Sequence, residues 1–275
     1  MAATRLEAPD EARSRYERDG VYLAQETVVP ADVVARASLG MDALMRGEYE
    51  TGLTPQPSFW NPGDDPHKLV KIEMPQAANR GIMELISHPA LGELAAAITG
   101  ARMVQVWWVQ MLVKPSSDPA AGHSPQVGWH QDRQYWDVWE PGSELFTAWV
   151  AVSDVTPDTG PVRYVLGSHR WGLLGEGDFF APDLASQRIS APEGQRWEEV
   201  AGVLPPGGVG FHDDLTVHGS GENHSGRQRR SFAVHLRTDR SRPVDNARRG
   251  LAGLIDEPRY CPVIYGDRTH DRARA

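Results

Sequence analysis

The chain has 275 residues, of which 40% are hydrophobic and 24% are charged, as is ordinary for a globular protein. Its formal net charge of −9 argues against broad nucleic-acid binding, because phosphate recognition needs a positive field. The single cysteine, Cys261, excludes an intrachain disulfide and a thiolate cluster, so a metal would need His, Asp or Glu ligands. We find no apolar stretch of membrane-spanning length and no secretory signal, and we therefore expect a cytoplasmic location without membrane partners.

The first hundred residues are predicted to be mostly helical. A short strand is expected at 21–24, and Pro30 opens a second helix. The apolar spacing predicts a third helix over about 80–99. Between these helices, segment 52–68 is rich in Pro, Gly and Asp and is predicted to be a loop, although it carries the large apolar side chain of Trp60.

From residue 101 the sequence becomes rich in β-branched and aromatic residues, which is typical of strands. Short strands separated by Gly/Pro/Asp turns favour a mainly β fold, a helical N-terminal layer on a double-stranded β-helix (jelly-roll, cupin-like) core. We expect one domain over 1–275, with the core at about 101–240 and a C-terminal extension at 241–275. The predicted core strands are 103–114, 145–152, 162–166, 198–204, 208–212 and 230–237.

Two distant segments carry candidate metal ligands. His130 and Asp132 are two residues apart, and residues i and i+2 of an extended segment share a face. His218 would supply a third ligand from a late strand end. Two imidazoles and one carboxylate with an open opposite face form the arrangement of non-heme Fe(II) oxygenases. A competing pair, His212 and Asp214, is less suited, and we expect His212 to lie at a strand end near the site.

A basic residue follows the second candidate histidine by eleven positions (218 + 11 = 229). Alternation along 230–237 would place Arg229 on the same strand face as Ala233 and His235, opposite to Phe232. An arginine at the start of a strand near a metal can clamp a carboxylate with two hydrogen bonds. Arg229 therefore indicates a carboxylate-bearing cosubstrate, although a solvated basic turn is the alternative.

Together these segments resemble the phytanoyl-CoA dioxygenase family of Fe(II)/2-oxoglutarate-dependent oxygenases. The matching stretches are YERDGVYLAQETVVPADVVARA, WHQD, VSDVTPDTGPVRYVLGSHRWG and HGSGENHSGRQRRSF. The resemblance covers nearly the whole chain and implies Fe(II) held by His130, Asp132 and His218. One departure is Leu166, which stands where relatives usually have a proline before GSH.

The resemblance also implies contacts with 2-oxoglutarate. Arg229 matches the arginine that binds the far carboxylate, and Ser220 matches a supporting hydroxyl. Gln131 and Trp149 match lesser contacts, and Gln110 on the first barrel strand is a further candidate. No catalytic residue beyond the metal ligands is predicted.

Aromatic side chains near the candidate site suggest where a substrate binds. Trp136 stands where related ectoine-type hydroxylases carry a tryptophan, six residues after the first metal histidine. Tyr135 and Trp60 are further candidate substrate contacts, and Lys71 corresponds to a family lysine near the cosubstrate. The sequence shows no basic cluster for the phosphates of an acyl-CoA beyond 227–230, which favours a small metabolite or natural product.

The implied reaction hydroxylates an unactivated C–H bond and converts 2-oxoglutarate and O2 into succinate and CO2. Asp132 argues against halogenation, because halogenating relatives have a small residue there. Desaturation, epoxidation and rearrangement remain open. So do two other classes, a cupin-type metalloenzyme that needs no 2-oxoglutarate and a non-catalytic jelly-roll binding protein. Neither the substrate nor the oligomeric state follows from the sequence.

Overall fold

A computed structural model of the chain describes residues 9–24, 26–117, 125–181, 184, 187, 189–244 and 250–271. Its helices are α1 (Pro9–Asp19), α2 (Ala31–Met45), α3 (Arg80–Ile86) and α4 (Pro89–Thr99). Its strands are β1 (Val21–Leu23), β2 (Val70–Glu73), β3 (Met103–Lys114), β4 (Val127–His130), β5 (Leu145–Ala151), β6 (Val162–Val165), β7 (Glu199–Ala201), β8 (Val209–Asp213), β9 (His218–Ser220), β10 (Arg229–Thr238) and β11 (Val263–Gly266). Among these helices we find none whose length and hydropathy would let it cross a bilayer.

The strands form two antiparallel sheets. The larger sheet has the order β1-β8-β5-β10-β3-β11, with β2 also paired to β3, and the smaller sheet has the order β4-β9-β6-β7. Neighbours in these sheets are mostly distant in sequence, as a jelly roll requires. The predicted mainly β, jelly-roll fold is confirmed.

Strict alternation divides the two faces of the larger sheet. On β10, Phe232, Val234 and Leu236 belong to the large hydrophobic core that also contains the apolar faces of the helices. Ala233 and His235 point the other way and line a cavity. Because successive side chains of a strand point to opposite faces, one strand supplies both the helix-packing core and the site.

The structure differs from the sequence prediction in two respects. The third helix is two helices, α3 and α4, because Pro89 lacks an N–H and disfavours helical backbone at His88. Four strands were not predicted, namely β2, β4, β9 and β11. The last of these pairs with β3, so part of the predicted C-terminal extension is a strand of the larger sheet.

Candidate metal centre

The two candidate metal histidines are partners across one pair of strands. His130 ends β4 and His218 begins β9, and the antiparallel register places them directly opposite each other. Their ring centroids are 4.2 Å apart. Strand pairing thus brings together two residues that are 88 positions apart in the chain (218 − 130).

Backbone carbonyls fix the tautomer of both rings. His130 Nδ1 donates to the Gly128 carbonyl at 2.8 Å, and His218 Nδ1 donates to the Thr216 carbonyl at 2.9 Å. A carbonyl can only accept, so the proton is on Nδ1 and the Nε2 lone pair is free for a metal. Burial, helped by neighbouring imidazoles, holds the pKa of His218 well below its usual value, which keeps that ring neutral.

Asp132 completes the triad from the turn that follows β4. Its Oδ1 lies 3.7 Å from His130 Nε2 and 3.8 Å from His218 Nε2. One ligand atom from each residue falls within 4.8 Å of the others, close enough to surround one ion. Burial alone would raise the pKa of this carboxyl, yet the surrounding imidazoles, led by His218, bring the pKa well below its usual value.

The second oxygen of Asp132 is held by the protein. Asp132 Oδ2 accepts from Thr147 Oγ1 at 2.8 Å and from His212 Nε2 at 3.2 Å. Thr147 has one proton, so the 2.8 Å contact with His235 is a bond that His235 Nδ1 donates. Burial lowers the pKa of His235 to about 4, so its imidazole is uncharged at neutral pH. His212 lies at the end of β8, as predicted, and orients the carboxylate.

A cavity of about 40 Å³ adjoins the triad, and we call it the inner cavity. Its lining includes the three triad residues together with Trp149, Ser220 and Arg229. The Arg229 guanidinium is 2% exposed and lies 5.2 Å from the centre of a Trp149 ring, and it also donates to the Gly160 carbonyl. Burial lowers the pKa of Arg229 to about 10, which still leaves the group charged at neutral pH.

A second buried cation, Lys114, lies beside this arginine. Its Nζ donates to Ser220 Oγ at 2.6 Å, to the Ser220 carbonyl at 3.1 Å and to the Gly221 carbonyl at 2.5 Å. Burial, and then the charge of Arg229, lower the pKa of Lys114 well below its usual value, but the three acceptors around Nζ match the three protons of an ammonium. The Ser220 hydroxyl accepts from the ammonium and so has its own proton to donate to another group. One end of the inner cavity is therefore strongly suited to an anion.

One predicted cosubstrate contact, Gln131, lies elsewhere than expected. Gln131 Nε2 donates to the carbonyls of Gly172 and Leu215, and its Oε1 accepts from the Leu174 N–H. It lines neither cavity, because alternation along this extended segment turns it away from the face of His130. We therefore correct its predicted role to that of an anchor for neighbouring loops. Gln110 does line the inner cavity but also faces the outer one described next.

A larger cavity of about 290 Å³ opens on the other side of the triad, and we call it the outer cavity. His130 and Asp132 line both cavities. Six aromatic rings form a large part of the outer wall, namely Phe59, Trp108, Tyr135, Trp136, Phe179 and Phe180.

Two of the three predicted substrate contacts face the outer cavity. Trp136 packs edge-on against Trp107, with ring centroids 4.9 Å apart, and against His235 at 4.8 Å. Tyr135 is 40% exposed, and its hydroxyl accepts from the Phe179 N–H at 2.9 Å. These two side chains tie the wall to the strands and to the segment around 179.

The third predicted contact, Trp60, requires a correction. It is 5% exposed, belongs to the core shared with the helices and donates from Nε1 to the Asp65 carbonyl at 3.1 Å. Its neighbour Phe59 lines the outer cavity instead and lies 5.1 Å from Phe180. The two adjacent side chains point in opposite directions, and composition alone does not reveal which one faces the cavity.

Strand β2 adds an ion pair to the outer cavity. Lys71 and Glu73 alternate with core residues on this strand and lie 3.2 Å apart between Nζ and Oε1. Glu73 Oε2 also accepts from Trp108 Nε1 at 2.6 Å. The Lys71 ammonium lies 4.4 Å from the ring centre of Phe59. Lys71 lines the outer rather than the inner cavity.

Sequence reasoning missed four polar residues around these cavities. Thr147 and His235 carry no motif, and only the packing of β5 beside β10 shows that they meet Asp132. Lys114 ends a long apolar strand, and a lysine at that position was the signal that the sequence offered. Glu73 lies two residues after Lys71, which the sequence did suggest, but it falls on β2, a strand that was not predicted.

The fold and this site define a class, the jelly-roll proteins that carry a two-histidine, one-carboxylate metal triad. The family model for Phytanoyl-CoA dioxygenase (PhyH) matches residues 16–231. The chain belongs to this family, as predicted from its motifs. A comparison with curated proteins finds no match.

Solved structures of similar fold include two enzymes of nogalamycin biosynthesis. The alpha ketoglutarate dependent epimerase SnoN from nogalamycin biosynthesis is 23% identical, with a TM-score of 0.66 over 85% of this chain and 82% of that one. The carbocyclase SnoK from the same pathway is 21% identical, with a TM-score of 0.65 over 88% and 92%. EvdO2 from Micromonospora carbonacea var. aurantiaca, complexed with 2-oxoglutarate, is 19% identical, with a TM-score of 0.61 over 88% and 95%.

Proposed function

We propose that the protein is a non-heme Fe(II)/2-oxoglutarate-dependent oxygenase that hydroxylates a small-molecule metabolite or natural product. The inner cavity carries this proposal. Its wall combines the triad of His130, Asp132 and His218 with the cationic end formed by Arg229 and Ser220. A metal ion together with a small dicarboxylate is the ligand set that such a wall fits.

The residues present fit ferrous iron. Both imidazoles offer a free Nε2, and Asp132 offers Oδ1 while its Oδ2 is bonded to the protein. A triad that leaves coordination positions open differs from a structural site, which closes with a fourth protein ligand. Thr147 and His212 bond to Asp132 Oδ2, and hydrogen-bond partners of a metal-binding carboxylate commonly orient it and raise metal affinity.

Arg229 would hold the far carboxylate of 2-oxoglutarate, with Ser220 donating a second hydrogen bond. Trp149 would form the apolar floor beneath the carbon chain. The chemistry supplied by bound Fe(II) is oxidation by O2, in which one oxygen atom enters a substrate C–H bond to give an alcohol and the other enters succinate, with release of CO2.

The outer cavity would hold the substrate beside the triad. Trp136, Tyr135 and Phe179 would exclude water and fix the ring or chain that presents the C–H bond. Structures of similar fold include an epimerase, a carbocyclase and a non-heme monooxygenase. The named reactions differ, and we propose hydroxylation as the outcome here because Asp132 stands where halogenating relatives have a small residue.

Anaerobic addition of Fe(II) and then 2-oxoglutarate tests the proposal. We expect a weak visible charge-transfer band that needs both additions and that is lost in Asp132→Ala. Iron binding without such a band would favour a metalloenzyme that does not use 2-oxoglutarate. Absence of iron binding would favour a non-catalytic binding protein. With the band established, a panel of metabolites is screened in air for substrate-dependent succinate.

A further inference from the structure

Besides the two triad residues and His235, the outer cavity has a polar edge among its aromatic rings. This edge consists of Lys71 and Glu73, both less than a tenth exposed, together with Gln110 and the indole N–H of Trp108. Burying an ion pair costs desolvation energy, which the gain in attraction often does not exceed. Such a pair on the wall of a cavity therefore calls for an explanation other than stability.

The charges at this edge cancel. Lys71 and Glu73 are bonded to each other, and the remaining ionisable groups in the lining are His130, Asp132, His235 and the phenol of Tyr135. An anionic substrate would meet Glu73, and a cationic one would meet Lys71, without a free opposite charge. The lining therefore favours a substrate without net charge.

The geometry of Glu73 defines what the edge recognises. Its Oε1 faces Lys71 at 3.2 Å and Gln110 Nε2 at 3.4 Å, and its Oε2 accepts from Trp108 at 2.6 Å. A carboxylate has about four acceptor sites, so these three donors leave about one for a ligand. That site can be filled only by a donor, and on an uncharged molecule the donor is a hydroxyl or an N–H group.

We propose that Glu73 is a specificity-determining residue that selects an uncharged, ring-bearing substrate through a hydroxyl group. The aromatic wall takes the ring, and Glu73 accepts the hydroxyl proton. The volume of about 290 Å³ lies near the lower end of the roughly 300–1,000 Å³ of small-molecule pockets, so the buried part of the substrate is compact. This inference rests on the proposed function, since it concerns the substrate of that same site.

Three matched probes test the selection, namely 2-naphthol, 2-methoxynaphthalene and 2-naphthoate. Binding is measured by tryptophan fluorescence quenching on the wild-type chain. Proximity to the triad is measured as broadening of the probe NMR lines by bound Mn(II). We expect 2-naphthol to bind about tenfold more tightly than its methyl ether, because a hydrogen bond to a charged group is lost in the ether, and naphthoate to bind most weakly.

The double variant Lys71→Met/Glu73→Met removes the edge without leaving an unpaired charge, and replacing a buried pair by apolar groups is often neutral for folding. We expect this variant to lose the preference for naphthol and to bind the methyl ether at least as well. Glu73→Gln, which keeps an acceptor, should show an intermediate preference.

Equal affinity for naphthol and its ether in the wild type, a preference for naphthoate, or an unchanged preference in the double variant would each overturn the inference. The iron and 2-oxoglutarate band of the wild type is recorded in parallel. If the band forms but the probes show no hydroxyl preference, only the substrate inference fails. If the band is absent, the proposed function fails whichever probe binds.

Discussion

The inner and outer cavities share two triad residues but are built in different ways. The inner cavity is lined mainly by strands of both sheets, and its character is set by charge, with Asp132 at one part of the wall and Arg229 at another. The outer cavity is lined largely by rings from loop segments, such as Phe59, Phe179 and Phe180, and by strand β2. The comparison shows that charged groups on paired strands define the inner cavity, whereas aromatic rings on loops define much of the outer one.

The largest effect is expected at the point where the two cavities meet. Asp132→Ala removes one of three ligands and frees Thr147 and His212 from their shared partner. Two imidazoles alone do not complete the triad, so succinate formation from 2-oxoglutarate in air should fall to background.

Asp132→Glu serves as the control, because it keeps the carboxylate but moves it, and thermal melts show whether either variant is folded. Normal succinate formation by a folded Asp132→Ala protein would remove Asp132 from the metal centre.

The next effect concerns the wall of the outer cavity and the two neighbours Phe59 and Trp60. Trp60→Ala deletes a buried core side chain and should lower the free energy of unfolding by about 3–5 kcal/mol. Phe59→Ala removes a side chain that is 64% exposed and should change stability by about 0.5 kcal/mol or less. Urea unfolding of the two variants measures the contrast, and equal destabilisation would mean that Phe59 is also a core residue.

The same contrast shows what the sequence could predict. Periodicity predicted the long strands and the faces of β10, and the i, i+2 spacing predicted a shared face for His130 and Asp132, because a strand fixes side-chain direction by parity. The motif segments predicted His218 and Arg229. Loop residues have no such rule, so Trp60 was predicted in place of Phe59. The buried polar partners of the site were also missed, because tertiary pairing rather than local sequence brings them together.

At the cationic end of the inner cavity, Arg229→Ala should weaken 2-oxoglutarate binding by about 2–5 kcal/mol, since a buried carboxylate loses a charged partner. Titration of the visible band with 2-oxoglutarate at fixed Fe(II) measures the loss. Arg229→Lys keeps the charge but not the planar guanidinium, so its affinity for 2-oxoglutarate should lie between those of the wild type and Arg229→Ala. An unchanged titration for Arg229→Ala would show that another group binds the carboxylate.

A smaller effect on 2-oxoglutarate binding than that of Arg229→Ala is expected at Lys114, which acts on the same end through Ser220. Lys114→Met keeps the length of the side chain but removes the donor that orients the Ser220 hydroxyl, so 2-oxoglutarate binding should weaken by about 1–3 kcal/mol. A purely structural lysine would lower the melting temperature without changing this affinity.

Comparison with Ser220→Ala decides between these roles for Lys114. If the ammonium acts by orienting the hydroxyl, the double variant should lose less 2-oxoglutarate binding free energy than the two single variants lose in sum. The reason is that effects of residues in one hydrogen-bonded network are not additive. Strict additivity would mean that Lys114 acts on the anion through its charge alone. Either result is confined to the inner cavity, because Lys114 and Ser220 do not line the outer one. Naphthol binding by the Lys114 variant should therefore match the wild type, and a parallel loss would show that the two cavities are coupled.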